Sequence, residues 1–280
     1  MTRAAPSAGA IDADAAAALM EPLSELVVQA GRAILAVNRR AMAVTDKSDG
    51  SPVTEADLAA DRVIHDGLAS IAPDIAILSE ERAQPAAAPY RGSFFLIDPI
   101  DGTKEFVAGR GEYTVNLALV TDGTPLLGII CAPAIDLLWR GVVGRGAERL
   151  TIGETGLGAA EPIRTRQMPK AGEPWVAAVS RSHGDARTEA FIQGRPGVIR
   201  LPLGSAVKFG KLAEGAADIY PRLAPTSEWD IAAGQAVVTA AGGKVTDETG
   251  APLRFGERPD GFIVPSFIAW GDPAVAAPVL

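Results

Sequence analysis

Apolar positions near the start of the chain repeat with a helical period. Across 15–41 they recur every three or four residues, which predicts an amphipathic helix. A turn-rich loop is expected at 45–53. The helical period then returns over 54–71 and predicts a second helix.

Further along, short apolar runs with β-branched and aromatic members predict buried strands. We expect the run at 94–97 to end at Asp98, because Pro99 cannot donate to a sheet ladder. Helices are expected after Ser205 and from Trp229. Several strands follow one another without intervening helices, which predicts an antiparallel or mixed sheet in an α+β fold. The predicted strands are 75–78, 94–97, 113–120, 126–132, 137–143, 175–179, 216–220, 245–246 and 262–264, with a surface loop at 84–89.

A length of 280 residues is near the point at which a single core divides. A glycine-rich stretch at 144–161 separates the first series of strands from the rest. We therefore predict two packed halves, 1–145 and 146–280. The first carries most of the candidate metal ligands, and the second carries Asp230 and the loops that would select the substrate.

The charge and the single cysteine narrow the classes of partner and compartment. A net charge of −8 argues against a nucleic-acid polymer but allows a small anion held by metal. Cys131 cannot form an internal disulfide, and we expect it to be a buried core residue. No run approaches the roughly 18 apolar residues of a membrane span. We expect a cytoplasmic protein, with peripheral attachment to the inner face of the membrane as the alternative.

The chemistry is concentrated in 98–103, which reads Asp-Pro-Ile-Asp-Gly-Thr. Ionised carboxylates are costly beside a buried strand, and Mg²⁺ would offset that cost because it takes carboxylate and phosphate oxygens as ligands. Gly102 permits a close approach of the backbone to a ligand. A helix starting at Thr103 would direct free N–H groups towards an anion. The alternative is an ordinary turn with solvated acids.

Three more acids follow a strand or begin a helix. Glu80 and Asp230 are each either a helix-start residue or a metal ligand. Asp57 lies three residues after Thr54, so it either caps a helix or orients an attacking water. Oxygen ligands without a Cys/His cluster suit two or three Mg²⁺ ions rather than zinc. Spacing alone does not show that these acids converge.

The second half offers polar residues with two interpretations each. The loop 180–183, Ser-Arg-Ser-His, could bind an anion or a base ring, or it could be solvated. Lys208 lies one turn into the helix that follows Ser205. Its amine could face solvent or touch a substrate.

Taken together, these motifs resemble those of the lithium-sensitive, magnesium-dependent phosphatases of the inositol monophosphatase superfamily, over about residues 23–267. The Asp-Pro-Ile-Asp-Gly-Thr stretch with the distant Trp229-Asp230 pair is specific to that superfamily. Three stretches, 104–106, 180–183 and 220–222, point to its branch of CysQ-type 3′(2′),5′-bisphosphate nucleotidases. The other matching stretches are 51–57, 78–81 and 111–116.

The resemblance implies a layered αβαβα sandwich with the site between its halves. It implies that Glu80, Asp98 and the carbonyl oxygen of Ile100 hold one metal ion. Asp98, Asp101 and Asp230 would hold a second, and Glu80 would help to hold a third.

The same resemblance implies roles around the substrate. Gly102 and Thr103 would bind the phosphate, and Asp57 with the Thr103 hydroxyl would orient the attacking water. Glu80 belongs to the same catalytic group. The implied substrate-binding set is Asp101, Gly102, Thr103, Ser182, His183, Ser205, Lys208, Arg222 and Asp230.

The implied activity is Mg²⁺-dependent hydrolysis of the 3′-phosphate of adenosine 3′,5′-bisphosphate to give AMP. A rival within the superfamily is a phosphatase for inositol phosphate or fructose bisphosphate. A rival of another class is a catalytically silent metal- or nucleotide-binding protein, and the presence of all five acids and Thr103 argues against it. We expect a monomer or homodimer whose partner is a small phosphate ester.

Overall fold

The computed structural model describes residues 9–37, 44–46, 52–83, 90–182, 184–195, 197–257 and 261–276. Its α-helices are α1 (Ala13–Ala36), α2 (Glu55–Ile71), α3 (Thr103–Val107), α4 (Ala186–Gln193), α5 (Val207–Ala213) and α6 (Glu228–Ala240). Its strands are β1 (Val44–Asp46), β2 (Pro52–Thr54), β3 (Ala76–Ser79), β4 (Ser93–Asp101), β5 (Thr114–Thr121), β6 (Thr124–Ala132), β7 (Leu137–Val142), β8 (Gly146–Gly153), β9 (Gly156–Leu157), β10 (Glu161–Ile163), β11 (Val176–Ser180), β12 (Ile199–Leu203), β13 (Ile219–Arg222), β14 (Thr226–Ser227), β15 (Lys244–Thr246), β16 (Ile263–Val264) and β17 (Phe267–Trp270). Single 3₁₀ turns lie at Glu80–Arg82, Pro133–Ile135 and Pro273–Val275.

Two mixed sheets organise the chain. In the first, β10, β8, β7, β6, β5, β4 and β3 are neighbours in that order, and β9 pairs with β8. Among the strands described for this sheet, β3 and β4 run parallel and the other neighbouring pairs are antiparallel. The second sheet has the order β12, β11, β13, β17, β15, with parallel pairing of β11 to β12 and to β13. The expected α+β class is confirmed.

Helices and sheets stack in five layers. The apolar stripes of α1 and α2, which include Leu23 and Ile64, pack on one face of the first sheet. Its other face shares a core with α5, α6 and the second sheet. Ile192 of α4 packs with Val179 on the far side of the second sheet. This is the αβαβα order. Cys131 is buried as predicted, and burial raises the pKa of its thiol to about 12.

The β4 strand is longer than the sequence predicted, and the expected end at Asp98 is wrong. Pairing with β5 resumes at Asp101, after a register shift between the two acids. Pro99 lies within that irregular segment, where its missing N–H breaks no ladder hydrogen bond. The strand therefore carries both acids instead of stopping before them.

Differences from the predicted elements also occur near the N-terminus. β1 and β2 form an antiparallel pair within the stretch expected to be a loop, because pairing of two such short strands needs no apolar run. α1 ends at Ala36 and Val37 is extended. The expected continuation to 41 and the loop at 84–89 lie outside the described residues. Within the described ranges, no helix has the length and apolar character required to cross a bilayer.

The glycine-rich stretch at 144–161 contains β8 and β9 and leads into β10. All three strands belong to the first sheet, in which β8 pairs with β7. Residues 146–153 therefore hydrogen-bond with a strand of the first half, and β9 and β10 join the same sheet through β8. The division of the chain at 145/146 stays a prediction.

Candidate active site

A bulge in β4 brings two acids onto one face of the first sheet. Asp98 pairs with Asn116 and Asp101 pairs with Thr114, so β4 holds one more residue than β5 between these pairs. Side chains alternate along a strand, and a spacing of three would otherwise direct the two carboxylates to opposite faces. The extra residue restores a common face, which is the face that packs against α6.

Asp98 is enclosed and crowded by other acids. Its side chain is 1% exposed, so the alternative of a solvated acid is wrong here. Burial raises its pKa well above the usual range, and Glu80, Asp101 and Asp230 raise it further by charge repulsion. The buried Oδ1 has no hydrogen-bond partner. A cation would satisfy this oxygen and relieve the repulsion.

Asp101 is held by the second half of the chain. Its Oδ2 accepts a hydrogen bond from Ser205 Oγ at 2.7 Å, and Ser205 Oγ also contacts the hydroxyl of Thr114. Burial and the nearby Asp230 carboxylate raise the pKa of Asp101 to about 6, although the Lys208 ammonium acts in the opposite direction. Asp101 thus connects β4 of the first sheet to the bend before α5 through its hydrogen bond with Ser205.

Asp230 caps a helix and also reaches the other acids. Its Oδ2 accepts hydrogen bonds from Thr226 Oγ1 and, at 3.3 Å, from Ser227 N at the start of α6. Neither bond involves Oδ1. One oxygen each from Asp98, Asp101 and Asp230 lies within 4.8 Å of the others. The capping role and a place in the acid cluster are therefore compatible.

Glu80 begins the single turn that follows β3. Asp61 of α2 holds both sides of this turn, because Ser79 Oγ donates to Oδ1 and Arg82 Nε donates to Oδ2, each at 2.6 Å. The Glu80 carboxylate is within hydrogen-bonding reach of Asp98 and contributes to its raised pKa. Glu80 thus starts a helical turn and also faces the acid cluster.

Asp57 uses its two oxygens for different partners. Oδ2 accepts hydrogen bonds from Thr54 N at 2.8 Å and Thr54 Oγ1 at 2.6 Å, which confirms the capping box. Oδ1 accepts a hydrogen bond from Thr103 Oγ1 at 3.2 Å. The Thr103 hydroxyl also lies 3.2 Å from the carbonyl oxygen of Ile100. Capping does not remove Asp57 from the site.

The turn before α3 requires glycine. Gly102 has φ +91°, a left-handed conformation that L side chains rarely adopt. A Cβ at this position would approach Glu105 Oε2 and Ser205 Cβ to 3.3 Å. α3 begins at Thr103 as predicted, and its first residue faces the cleft.

Lys208 is buried, and the alternative of a solvated helix residue is wrong. The side chain is 3% exposed, because α5 packs between the two sheets. Its Nζ donates to the carbonyl oxygens of Ser205 at 2.7 Å and Leu203 at 3.4 Å and lies 5.1 Å from the centre of the Tyr220 ring. Burial lowers the pKa of Lys208 to about 8, although Asp101 favours the charged form.

Several of these residues line one cleft of about 190 Å³ between the two sheets, whereas Asp57 and Asp98 are not among its lining residues. Arg222 lies on its wall beside Tyr220, and its guanidinium donates to Pro225 O at 3.3 Å. Tyr220 packs edge-on against Phe209 and Phe267, which gives the cleft an aromatic side. The lining includes Glu80, Asp101, Gly102, Thr103, Glu105, Ser205, Lys208, Tyr220, Arg222 and Asp230.

The loop after β11 lies at the margin of this cleft. Ser182 is exposed, and its hydroxyl donates to Glu105 Oε1 of α3 and accepts from Arg110 Nη1 at 3.4 Å. His183 lies outside the described residues. Ser182 is therefore hydrogen-bonded to α3, the helix that begins at Thr103.

Sequence reasoning missed two acids in this region. Glu105 is 4% exposed, lines the cleft and favours the charged form of Lys208. Glu112 accepts hydrogen bonds from Arg181 and from the Gly204 amide. The partners of Glu112 lie 69 and 92 residues away along the chain, so no local pattern identifies these contacts. The sequence indicates these two residues only through the position of two acids, Glu105 and Glu112, shortly after the stretch 98–103.

The donor set fits a hard divalent cation. Within the described residues, the close group of potential ligand atoms consists of carboxylates, without histidine or cysteine. Carboxylate and carbonyl oxygens are the ligands preferred by Mg²⁺, Ca²⁺ and Mn²⁺. The buried Oδ1 of Asp98 has no hydrogen-bond partner among the described residues and could bind such a cation.

Comparison with known proteins agrees with this architecture. The chain belongs to the inositol monophosphatase family, whose pattern it matches over residues 16–277. Among curated relatives, the 3′(2′),5′-bisphosphate nucleotidase CysQ of Shigella flexneri is 39% identical over 254 residues, which cover 89% of this chain and 98% of that protein. CysQ of Escherichia coli K12 is 38% identical with the same coverage.

Solved structures support the fold independently. CysQ from Bacteroides thetaiotaomicron superposes with a TM-score of 0.75 at 32% identity, over 91% of this chain and 97% of the other. An IMPase from Thermotoga maritima gives a TM-score of 0.72 at 27% identity, over 92% and 93%. The match therefore spans both halves and the cleft between them.

Proposed function

We propose that this protein is a Mg²⁺-dependent 3′(2′),5′-bisphosphate nucleotidase that converts adenosine 3′,5′-bisphosphate to AMP and phosphate. One observation carries the proposal: an acid cluster and the two cations Lys208 and Arg222 meet in a single cleft. Such a cleft offers a place for a reacting phosphate and a second phosphate. The CysQ names of the relatives at 38–39% identity support the same substrate class.

We assign the metal-binding role to Glu80, Asp98, Asp101, Asp230 and the carbonyl oxygen of Ile100, for two or three Mg²⁺ ions. When bound, such ions neutralise charge on the transferring phosphoryl group and lower the pKa of water. The burial of Asp98 and Asp101 and the charge repulsion that they experience from neighbouring acids support the assignment, because both favour a cation at this place.

Thr103 and Asp57 are assigned to the attacking water. The single proton of the Thr103 hydroxyl is directed to Asp57 Oδ1 or Ile100 O, so its lone pairs can accept a hydrogen bond from water. The water oxygen forms the new bond to phosphorus and gives up one proton, the bond to the 3′ oxygen breaks, and that oxygen takes up one proton, so that the products are an alcohol and hydrogen phosphate. Gly102 and Thr103 would hold the phosphate at the start of α3.

Lys208 and Arg222 are assigned to the 5′-phosphate. Charge-assisted hydrogen bonds from both would hold a group that inositol phosphate lacks. Ser182, His183 and Ser205, together with Asp101 and Asp230, complete the proposed contacts. We expect the enzyme to work in the cytoplasm as a monomer or homodimer.

The identity of the product tests this proposal. The protein is incubated with adenosine 3′,5′-bisphosphate and Mg²⁺, and the nucleotides are separated by chromatography. We expect 5′-AMP and one phosphate, with turnover abolished by EDTA and restored by Mg²⁺. Formation of 3′-AMP, or turnover unaffected by EDTA, would contradict the proposal. Binding of the nucleotide without phosphate release would favour the catalytically silent alternative.

A further inference from the structure

The Lys208 amine is fixed by the backbone of one short bend. Its Nζ donates to the carbonyl oxygens of Leu203 and Ser205, one residue on each side of Gly204. A lysine side chain has several rotatable bonds, so the position of its charge depends on where these carbonyls are held. A contact that holds the backbone at Gly204 therefore also helps to position the Lys208 amine.

Glu112 holds this bend from the other half of the chain. Its Oε2 accepts a hydrogen bond from Gly204 N at 2.8 Å. A Cβ at Gly204 would come within 2.5 Å of the Glu112 carbonyl oxygen, so the two backbones are in close contact. Glu112 lies between α3 and β5, next to the strand that pairs with β4.

Arg181 completes the contact. It binds Glu112 with two hydrogen bonds, Nε to Oε2 at 3.1 Å and Nη2 to Oε1 at 2.9 Å. Nη2 also donates to Pro202 O at 2.7 Å. A planar guanidinium bound in this way fixes both the direction and the distance of its partners. Glu112 and Arg181 thus join the segment after α3 to the end of β12.

The same bend carries Ser205, which adopts a left-handed conformation with φ +51°. This conformation lets Ser205 present its hydroxyl to Asp101 while its carbonyl oxygen accepts from Lys208. Thr114 also contacts the Ser205 hydroxyl, so the side towards Asp101 has its own support. The carbonyl oxygens that accept from Lys208 lie on either side of Gly204, whose amide donates to Glu112.

We propose that Glu112 is a positioning residue for the second-phosphate subsite, because it fixes the Gly204–Ser205 bend that places the Lys208 amine. This inference rests on the proposed function. The alternative is an ordinary surface ion pair with little effect, since the Glu112 and Arg181 side chains are 24% and 38% exposed.

The test compares adenosine 3′,5′-bisphosphate with adenosine 3′-monophosphate, which lacks the second phosphate. For Glu112→Ala we expect the KM of the bisphosphate to rise about tenfold, with kcat within about threefold of the parent. The KM of the monophosphate should change less than about threefold. Glu112→Gln should recover most of the loss, because its amide oxygen still accepts from Gly204 N.

Two further measurements separate positioning from a general loss of structure. Amide hydrogen exchange of the Gly204 region should accelerate in Glu112→Ala while the melting temperature stays close to that of the parent. Glu189→Ala is the matched control, because it removes an ion pair with Arg200 on the same β12 strand at similar exposure. It should leave both KM values unchanged.

The outcomes are distinguishable. If the parent cleaves neither nucleotide, the proposed function fails. If the parent is active and Glu112→Ala changes neither KM nor the exchange at Gly204, or raises KM equally for both substrates, the positioning role is wrong. Should Glu112→Ala fail to fold, Arg181→Gln tests the same link through the other partner.

Discussion

Asp57 Oδ1 accepts a hydrogen bond from Thr103 Oγ1 at 3.2 Å while Asp57 Oδ2 caps α2 through Thr54. One buried carboxylate therefore connects the start of α2 to the start of α3. Its structural and its proposed catalytic contacts use different oxygens, and a substitution can separate them.

Asp57→Asn is the substitution that does so. The amide oxygen can keep the cap, whereas the NH₂ group no longer accepts from Thr103. We expect kcat to fall by roughly 100-fold or more, in the range of a lost proton-accepting contact, with a smaller change in KM. The stability loss should not exceed about 1 kcal/mol.

Asp12→Asn provides the control, because Asp12 caps α1 by accepting from Ala15 N at 2.9 Å, and α1 packs on the face of the first sheet opposite α5 and α6. It should have a similar effect on thermal melting and none on kcat. If the Asp57→Asn protein folds and keeps a normal kcat, Asp57 only caps α2 and the proposed catalytic role is wrong.

Asp98→Asn should nearly abolish turnover while the fold survives. Removing this central carboxylate should cost several kcal/mol of transition-state charge stabilisation. In the presence of EDTA the variant should melt at a higher temperature than the parent, because a buried and repelled charge has been removed. Phosphate release at the parent rate by the folded variant would refute the metal assignment.

The stability of the metal-free protein should depend on pH with a defined sign. The folded-state pKa of Asp101 is about 6, above its usual value of 3.8, so the folded state binds more protons between these values. Stability should therefore fall as pH rises from about 4 to above 6. The raised pKa of Asp98 extends the fall to higher pH.

Mg²⁺ should reverse this loss, since a bound cation would favour the ionised form of the carboxylates. Melting curves at about pH 5 and about pH 8, with EDTA or with Mg²⁺, measure both effects. We expect the larger stabilisation by Mg²⁺ at the higher pH, and a weaker pH dependence in Asp101→Asn. Equal Mg²⁺ effects at both pH values would contradict this account.

Lys208 should bind the second phosphate of the nucleotide only while its amine is protonated. Its pKa is about 8 in the folded protein, so the free enzyme loses the ammonium as pH rises above that value. The KM of adenosine 3′,5′-bisphosphate should then increase, whereas that of inositol 1-phosphate should not. Lys208→Ala should remove this pH dependence and reduce the preference for the nucleotide. An equal loss of kcat/KM for both substrates in Lys208→Ala would show that Lys208 does not bind the second phosphate.

The central acids could be predicted from the sequence because they adjoin apolar runs, but their convergence could not. The common face of Asp98 and Asp101 arises from the register of β4 against β5, which local spacing does not reveal. Lys208 has the sequence context of a solvated helix residue, and its burial depends on α5 lying between two sheets.

The second half was less predictable for a similar reason. β12 and α4 were not anticipated, since the edge strand is largely exposed and the helix has only two buried positions. The bond between Glu112 and Arg181 joins residues 69 positions apart. Such contacts are determined by how the sheets pack, and a single sequence carries no periodic signal for them.

The ratio of kcat/KM for adenosine 3′,5′-bisphosphate to that for inositol 1-phosphate tests the central claim most directly. Both substrates present a phosphate monoester to the same acids, and only the nucleotide offers a base and a second phosphate to Lys208 and Arg222. We expect a ratio of at least ~100, or roughly 2.7 kcal/mol of transition-state binding. Comparable values for the two substrates, measured with the unmodified protein and Mg²⁺, would contradict the nucleotidase assignment and favour a sugar-phosphate phosphatase.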